Sequence, residues 1–147
     1  MESRVEKAEE LFRMGYNCAQ SVFAAYADLF GMDRESALRL SSPMGGGMGR
    51  MREVCGTVSA MALLSGLADG NSDPCDQEKK TLVYHRVRKM SDAFAEENGS
   101  IICRELLGIL GRELSAEPSL RTEEYYQVRP CIKFVRSAAK IIENTLQ

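Results

Sequence analysis

The sequence predicts an all-α protein, a compact single-domain bundle of about five to seven helices. Two observations lead to this prediction: apolar residues recur at the helical period along the chain, and no stretch alternates convincingly with period two. The length of 147 residues suits one helical domain over 1–147, with a core that needs no disulfide staples. A glycine-rich loop precedes a helix that we expect to be buried at the centre of the bundle.

The first third of the chain predicts three helices with recognisable ends. Apolar residues over 5–12 lie on one helical face. Asn17 is placed to cap a second helix, with Gln20 at the third position as in a capping box. Gly31 is a helix stop, and Asp33 is placed to cap a short third helix.

The remainder of the chain predicts four more helices and a short helical stretch. The apolar stretch over 53–68 indicates the buried central helix, and a long amphipathic helix follows it. Ser100 is placed to cap the next helix, which Gly111 would end. A short helical stretch follows Thr122, and Pro130 suits the first turn of the last helix.

Charge and composition exclude several function classes. The net charge is −2 and no Lys/Arg run is present, so we expect no nucleic acid as a partner. The longest apolar run, Val54–Ala68, is too short and too polar to span a bilayer, so we expect no membrane association. The acidic N-terminal segment lacks the apolar region of a secretory signal. We therefore expect a cytoplasmic protein, whose thiols are kept reduced.

Five cysteines are scattered along the chain without a CxxC pair or a zinc-finger spacing. Each lies close to a predicted helix start; they are Cys18, Cys55, Cys75, Cys103 and Cys131. A helix N-terminus carries free N–H groups and partial positive charge, which lower the pKa of a thiol there. The alternative is that these cysteines are small, inert, buried side chains. Cys75 stands in a polar loop and has the weakest claim to a shared site.

The glycine-rich loop leads directly into the helix that carries Cys55. Its glycines permit close backbone approach and positive φ, and a run of N–H groups at a helix start can bind an anion such as a thiolate or a cluster sulfur. A phosphate loop is disfavoured because the GxxxxGK[ST] pattern is absent. The candidate cofactor-binding residues are Gly45, Gly46, Gly47, Gly49 and Gly56.

Five sequence features occur in order along the chain: YNCAQSV over 16–22, the GGGMGR loop, CG at Cys55, ENGSIICRELLG and the late Cys131. Together they resemble the C_GCAxxG_C_C family of redox-active proteins. The CGAxxG motif is altered here to CGTVSA, with Thr57 in place of alanine and Ala60 in place of the final glycine. The resemblance implies a redox role and assigns the family's four cysteines to Cys18, Cys55, Cys103 and Cys131, which leaves Cys75 as an extra.

Two classes of function follow. In the first, Cys18, Cys55, Cys103 and Cys131 converge as catalytic thiols or as metal ligands. Four thiolates suit an iron–sulfur cluster or zinc, and a dithiol pair suits thiol–disulfide exchange, with a redox partner protein and a homo-oligomer both compatible. In the second, the protein is a non-catalytic helical module that binds a partner or a small anion, and its cysteines are buried and inert.

Overall fold

The computed structural model describes residues 2–108, 116–118, 120–122 and 130–146. These residues form helices and no β-strand, which confirms the all-α class and the compact bundle. Two short 3₁₀ turns, Ala27–Phe30 and Ser42–Met44, flank the third helix. The seven α-helices of this part of the chain are α1 (Val5–Arg13), α2 (Cys18–Tyr26), α3 (Arg34–Ser41), α4 (Gly56–Asp69), α5 (Gln77–Asn98), α6 (Cys103–Leu107) and α7 (Cys131–Thr145).

Helix α2 lies at the centre of the bundle, packed against α1, α3, α4 and α7. Seven of its nine residues are buried, because its sequence is almost wholly small or apolar. Helix α4, the predicted central helix, packs against α2, α5 and α7. The largest side chains of this shared core are Tyr26, Phe12, Phe23, Phe94, Met61 and Leu64.

Local capping explains why the first helices begin and end where they do. The Asn17 side chain accepts from the Gln20 N–H while the Gln20 side chain accepts from the Asn17 N–H, so the predicted capping box is present. Gly31 has a φ of 89°, the left-handed conformation of a helix stop. The Asp33 carboxylate accepts from the Ser36 N–H at the start of α3.

A polar cluster joins α1, α2 and α7 at the end of α2 remote from Cys18. The Tyr26 hydroxyl donates to the carboxylate of Glu143, which also accepts from the Arg4 N–H at 2.8 Å. The Arg4 guanidinium in turn donates to the Ala25 carbonyl oxygen at 3.0 Å. Residues from both ends of the described chain are therefore held together at this point.

The starts of α4 and α6 differ from the prediction. The helix expected from Glu53 begins at Gly56, and the one expected from Ser100 begins at Cys103. The reason is a short antiparallel pairing: the Cys55 N–H donates to the Ile101 carbonyl at 2.8 Å, and the Cys103 N–H donates to the Glu53 carbonyl at 2.6 Å. Ser100 is not the N-cap of α6, although its hydroxyl accepts from an N–H two residues on.

Some predictions fall on other parts of the chain. The expected helix end at Gly111 and the helical stretch after Thr122 lie outside the described residues. The single domain over 1–147 remains a prediction. Among the helices that the structure describes, none is both long and apolar enough to cross a membrane.

Candidate thiol site

Four cysteines from distant parts of the sequence line one cavity of about 60 Å³. Cys18, Cys103 and Cys131 are the first residues of α2, α6 and α7, and Cys55 immediately precedes α4. The fold therefore brings together the four predicted site cysteines. Cys75 is exposed and does not line this cavity.

The surroundings of Cys18 stabilise a thiolate. A hydrogen bond from the Cys55 thiol, opposed by burial, is the first cause that lowers the pKa of Cys18 from 9.0 to about 6. The backbone N–H groups of Gly46, Ala19 and Gly56 also donate to its sulfur and lower the pKa further. The negative charge on Cys18 thus receives hydrogen bonds from the glycine loop and from the starts of two helices.

Cys55 has the opposite electrostatics. Its side chain is buried, and the hydrogen bond to Cys18, burial and the Cys18 charge raise the pKa of Cys55 above its usual value. The Thr57 hydroxyl lies 3.1 Å from the Cys55 sulfur and opposes this shift. At neutral pH the pair therefore holds one thiolate, on Cys18, and one thiol, on Cys55.

The glycine loop forms a left-handed turn beside the cysteines. Residues 46–50 all have positive φ between 56° and 70°, although two of them, Met48 and Arg50, are not glycine. The non-glycine members of such a run each cost about 1–2 kcal/mol. The turn is held by hydrogen bonds to its flanks, such as Gly49 N–H to the Pro43 carbonyl at 2.8 Å. In this left-handed turn the Gly46 N–H points at the Cys18 sulfur and donates a hydrogen bond to it.

At least three glycines of the site have no room for a side chain. A Cβ atom on Gly56 would lie 2.7 Å from the Cys18 sulfur, and one on Gly47 would lie 2.7 Å from the Cys103 Cβ. A Cβ on Gly45 would overlap the Asn17 side chain. Gly49 has open space around it and lines a neighbouring cleft. Of the predicted glycines, Gly45, Gly46 and Gly49 line the cavity or that cleft, while Gly47 and Gly56 lie against the side chains of Cys103 and Cys18. A cofactor-binding role for these glycines remains a prediction.

The side of the cavity that Cys103 lines is fixed by the pairing of residues 52–55 with residues 101–104. An ion pair of 3.1 Å between Arg104 and Glu53 closes the outer side of this pairing. On the inner side, the buried Arg52 directs its Nη1 to within 3.7 Å of the Cys103 sulfur. Cys55 and Cys103 are therefore carried by segments that support each other.

Two arginines of the cavity were not identified from the sequence. Besides Arg52, the cavity is lined by Arg121, which donates to the carbonyl oxygens of Phe12 and Tyr16 at 2.9 and 2.7 Å. Its guanidinium carbon lies 4.3 Å from the centre of the Phe12 ring. Arginine is common on protein surfaces, so its presence alone does not indicate a site. The one clue in the sequence is that Arg52 closely follows the glycine loop. Positive charge at the cavity favours thiolates and other anions.

The sequence also predicts Cys18, Cys55, Cys103 and Cys131 as metal ligands. Thiolates are suitable ligands for zinc or an iron–sulfur cluster. Within the described residues, however, no group of three or more His, Cys, Asp or Glu side chains is arranged to hold a metal ion. The metal-ligand assignment of the four cysteines thus remains a prediction, and we derive no chemical step through a metal.

The fold and site together define an all-helical protein whose cysteines meet at converging helix starts. The family model described as "Putative redox-active protein (C_GCAxxG_C_C)" matches residues 16–145. The chain belongs to this family, as the motifs around Cys18 and Cys55 indicate. A search of curated proteins and one of solved structures each found no significant match.

Proposed function

We propose that the protein carries out thiol–disulfide exchange with Cys18 as the attacking thiolate and Cys55 as the resolving thiol. The observation that carries this proposal is the direct hydrogen bond between the two thiols at the edge of one small cavity. Cys18 is half-buried and Cys55 is buried, so an incoming disulfide meets Cys18 first. The low pKa of Cys18 keeps it ionised at neutral pH, which is the reactive form.

The interaction between the two cysteines explains how the second step, attack by Cys55, begins. Attack on a disulfide RSSR converts the Cys18 thiolate into a mixed disulfide and releases RS⁻, so the negative charge leaves Cys18. Both the hydrogen bond to Cys18 and that charge raise the pKa of Cys55 in the reduced protein. Their loss lowers the pKa of Cys55, and the Thr57 hydroxyl acts in the same direction. The Cys55 thiolate then attacks the Cys18 sulfur.

The reaction is balanced as a two-electron exchange. Cys55 forms the Cys18–Cys55 disulfide and displaces the second R group as a thiolate. The protein dithiol is oxidised and the substrate disulfide is reduced to two thiols. The reverse reaction, with a reduced thiol as donor, regenerates the dithiol. Arg52 beside Cys103 adds positive charge at the cavity, which stabilises thiolates at each step.

Trapping the mixed disulfide tests this proposal. In Cys55→Ser the resolving thiol is absent, so exposure to hydroxyethyl disulfide should leave one adduct on Cys18, located by mass spectrometry of peptides. Wild-type protein should retain no adduct and should lose two free thiols as the Cys18–Cys55 disulfide forms. Cys18→Ser should form neither the adduct nor the disulfide rapidly. Cys75→Ser is the matched control and should behave as wild type, since Cys75 lies outside the cavity.

Three results would contradict the proposal. One is an adduct on another cysteine while Cys18 stays unmodified. Another is stoichiometric zinc, or iron with sulfide, in protein purified without air and lost in Cys18→Ser, which would favour the metal centre. Cysteines that react with no disulfide in the folded protein would instead favour the non-catalytic binding module.

A further inference from the structure

The thiol cavity has room only for a small molecule. Its volume of about 60 Å³ is less than half of the roughly 150 Å³ that encloses one benzene molecule in an apolar cavity. The cavity can therefore enclose about two or three non-hydrogen atoms. A disulfide reacts at Cys18 with its substituents outside the cavity, whereas a smaller oxidant fits inside it beside the sulfur.

Cys18, Cys55 and Thr57 form a chain of hydrogen bonds that runs in one direction. The Cys55 thiol has a single proton, which it donates to the Cys18 sulfur. The Thr57 hydroxyl lies 3.1 Å from the Cys55 sulfur, so the hydroxyl is the donor of that contact. Both Cys55 and Thr57 are buried. A side-chain proton is thus held against the Cys18 sulfur, and Thr57 is placed to stabilise the Cys55 anion once that proton has left.

A proton donor beside the attacking sulfur favours peroxides over disulfides. A thiolate that attacks a peroxide breaks the O–O bond and expels hydroxide, a strong base whose departure is assisted by proton transfer. A thiolate that attacks a disulfide expels another thiolate, a weaker base that leaves without a proton. A second thiol next to the oxidised sulfur also suits peroxides, because a sulfenic acid condenses with a thiol to a disulfide.

We propose that the cavity admits hydrogen peroxide and that the site reduces it, with Cys18 as nucleophile and Cys55 as proton donor and resolving thiol. This activity is additional to disulfide exchange, and it rests on the attacking and resolving roles proposed above for the same pair.

The reaction is balanced in two steps. The Cys18 thiolate attacks one peroxide oxygen, the O–O bond breaks, and the departing hydroxide takes the Cys55 proton and leaves as water. The Cys55 thiolate then attacks the sulfur of the Cys18 sulfenic acid, forms the disulfide and expels hydroxide, which a solvent proton converts into a second water. The protein dithiol loses two electrons and the peroxide gains them.

Rates of oxidation of individual cysteines test the inference. Fully reduced full-length protein is mixed with hydrogen peroxide in chelator-treated buffer, and thiol loss is followed by alkylation and peptide mass spectrometry. Cys75, exposed and outside the cavity, is the internal reference. Cys18 should react at least about tenfold faster than Cys75 at pH 7, because it is ionised and has a proton donor beside it. With tert-butyl hydroperoxide this ratio should fall severalfold, because the butyl group does not fit the cavity.

Variants of Cys55 and Thr57 test the proton donor and the second step. Cys55→Ala should slow oxidation of Cys18 by hydrogen peroxide about tenfold more than its reaction with hydroxyethyl disulfide. The ratio of these two rates is independent of the ionisation of Cys18, since both reactions need its thiolate. In Cys55→Ser the sulfenic acid should persist on Cys18, detected as a dimedone adduct after unfolding. Thr57→Val should prolong the life of this intermediate, and Thr57→Ser should restore its rapid loss.

The outcomes separate the two proposals. Oxidation of Cys18 by hydrogen peroxide no faster than that of Cys75, while hydroxyethyl disulfide still reacts at Cys18, would overturn peroxide reduction and leave disulfide exchange standing. Equal slowing of both oxidants in Cys55→Ala would overturn the proton-donor role. Failure of both oxidants at Cys18 would overturn both proposals. Circular dichroism accompanies each variant; if Cys55→Ala fails to fold, the Cys55→Ser result decides, and absence of a Cys18 sulfenic acid there would overturn the inference.

Discussion

Cys18 and Cys75 both stand next to a helix start, yet their surroundings differ completely. At α2 the cap is the neutral Asn17, and the N–H groups of Ala19 and of the glycine loop are directed at the Cys18 sulfur. At α5 the cap is Asp76, and the Cys75 N–H donates to the Asp73 carboxylate at 2.8 Å. Carboxylates thus occupy the N-terminus of α5.

The difference shows that a helix start alone does not make a thiolate site. The partial positive charge of the helix is available to a sulfur only when no carboxylate takes it. A second backbone segment must also approach, and at α2 the left-handed turn over 46–50 supplies it. Both requirements can be tested by substitution and by changing the pH, and the largest effect is expected at Gly47.

Gly47→Val should destabilise the protein most. The residue has a φ of 70°, and an added Cβ would lie 2.7 Å from both the Cys103 Cβ and the Glu53 nitrogen. Backbone strain and overpacking together should lower the free energy of unfolding by about 3 kcal/mol or more. Urea denaturation under reducing conditions measures the loss. Gly49→Val is the matched control, because its φ is 56° and nothing lies within 4 Å of its Cβ. Equal losses in both variants would show that close packing against Cys103 is unimportant.

Gly56→Ala and Gly66→Ala compare the two ends of α4. The methyl group on Gly56 would lie 2.7 Å from the Cys18 sulfur, so the sulfur must move and unfolding should become easier by about 1–3 kcal/mol. The pKa of Cys18 should rise as its hydrogen bonds lengthen. Nothing lies within 4 Å of a Cβ on Gly66, so alanine there should be neutral or stabilising by up to about 1 kcal/mol. Thermal unfolding and the pH dependence of alkylation check both expectations, and an unchanged Cys18 pKa in Gly56→Ala would contradict the first.

The ionisation of Cys18 should make stability depend on pH. Its folded pKa of about 6 lies below that of the unfolded thiol, so its contribution to stability is complete above the unfolded value near 9. That contribution falls as pH decreases and is lost on passing through about 6, with a slope of at most about 1.4 kcal/mol per pH unit. The difference in unfolding free energy between wild type and Cys18→Ser should therefore grow from pH 6 to pH 8. A constant difference would mean that Cys18 titrates normally.

Exchanging the two caps should give the smallest effect. Asn17→Asp keeps a capping oxygen but adds a negative charge beside Cys18, and it should slow alkylation of Cys18 at pH 7 roughly threefold. Asp76→Asn makes the reciprocal change at α5 and should leave Cys18 unaffected. The rate of Cys18 alkylation in each variant, measured by peptide mass spectrometry, tests both expectations. A faster Cys18 in Asn17→Asp would refute the role assigned to the neutral cap.

The helices and caps were predictable because their causes are local. The capping box of Asn17 and Gln20, the stop at Gly31 and the placement of four cysteines at helix starts all depend on neighbouring residues. The same reasoning does not extend to the starts of α4 and α6. A pairing between residues 52–55 and residues 101–104 shortens both helices, and nothing in either segment alone indicates the other.

The electrostatics of the site were predictable only in part. Helix starts and glycines indicated a thiolate, but they did not show which cysteine would ionise, because that depends on the contact between Cys18 and Cys55. The left-handed Met48 and Arg50 could not be foreseen, since residues with side chains rarely adopt that conformation. The guanidinium of Arg121 reaches the site from a segment that no motif marks.

The cysteines of the cavity stand at the starts of four helices spread along the chain. The site therefore cannot assemble until widely separated segments have been synthesised. Contacts between residues far apart in sequence form late, because closing the intervening chain costs conformational entropy. Cys131, at the start of α7, is the last of the four to be synthesised. Until such contacts form, the cysteines of a nascent chain have ordinary thiol pKa values of about 8.5. The reactive thiolate at Cys18 is created when the glycine loop and the starts of α2 and α4 pack together, so a chain in which they have not yet packed is protected from premature oxidation at that position.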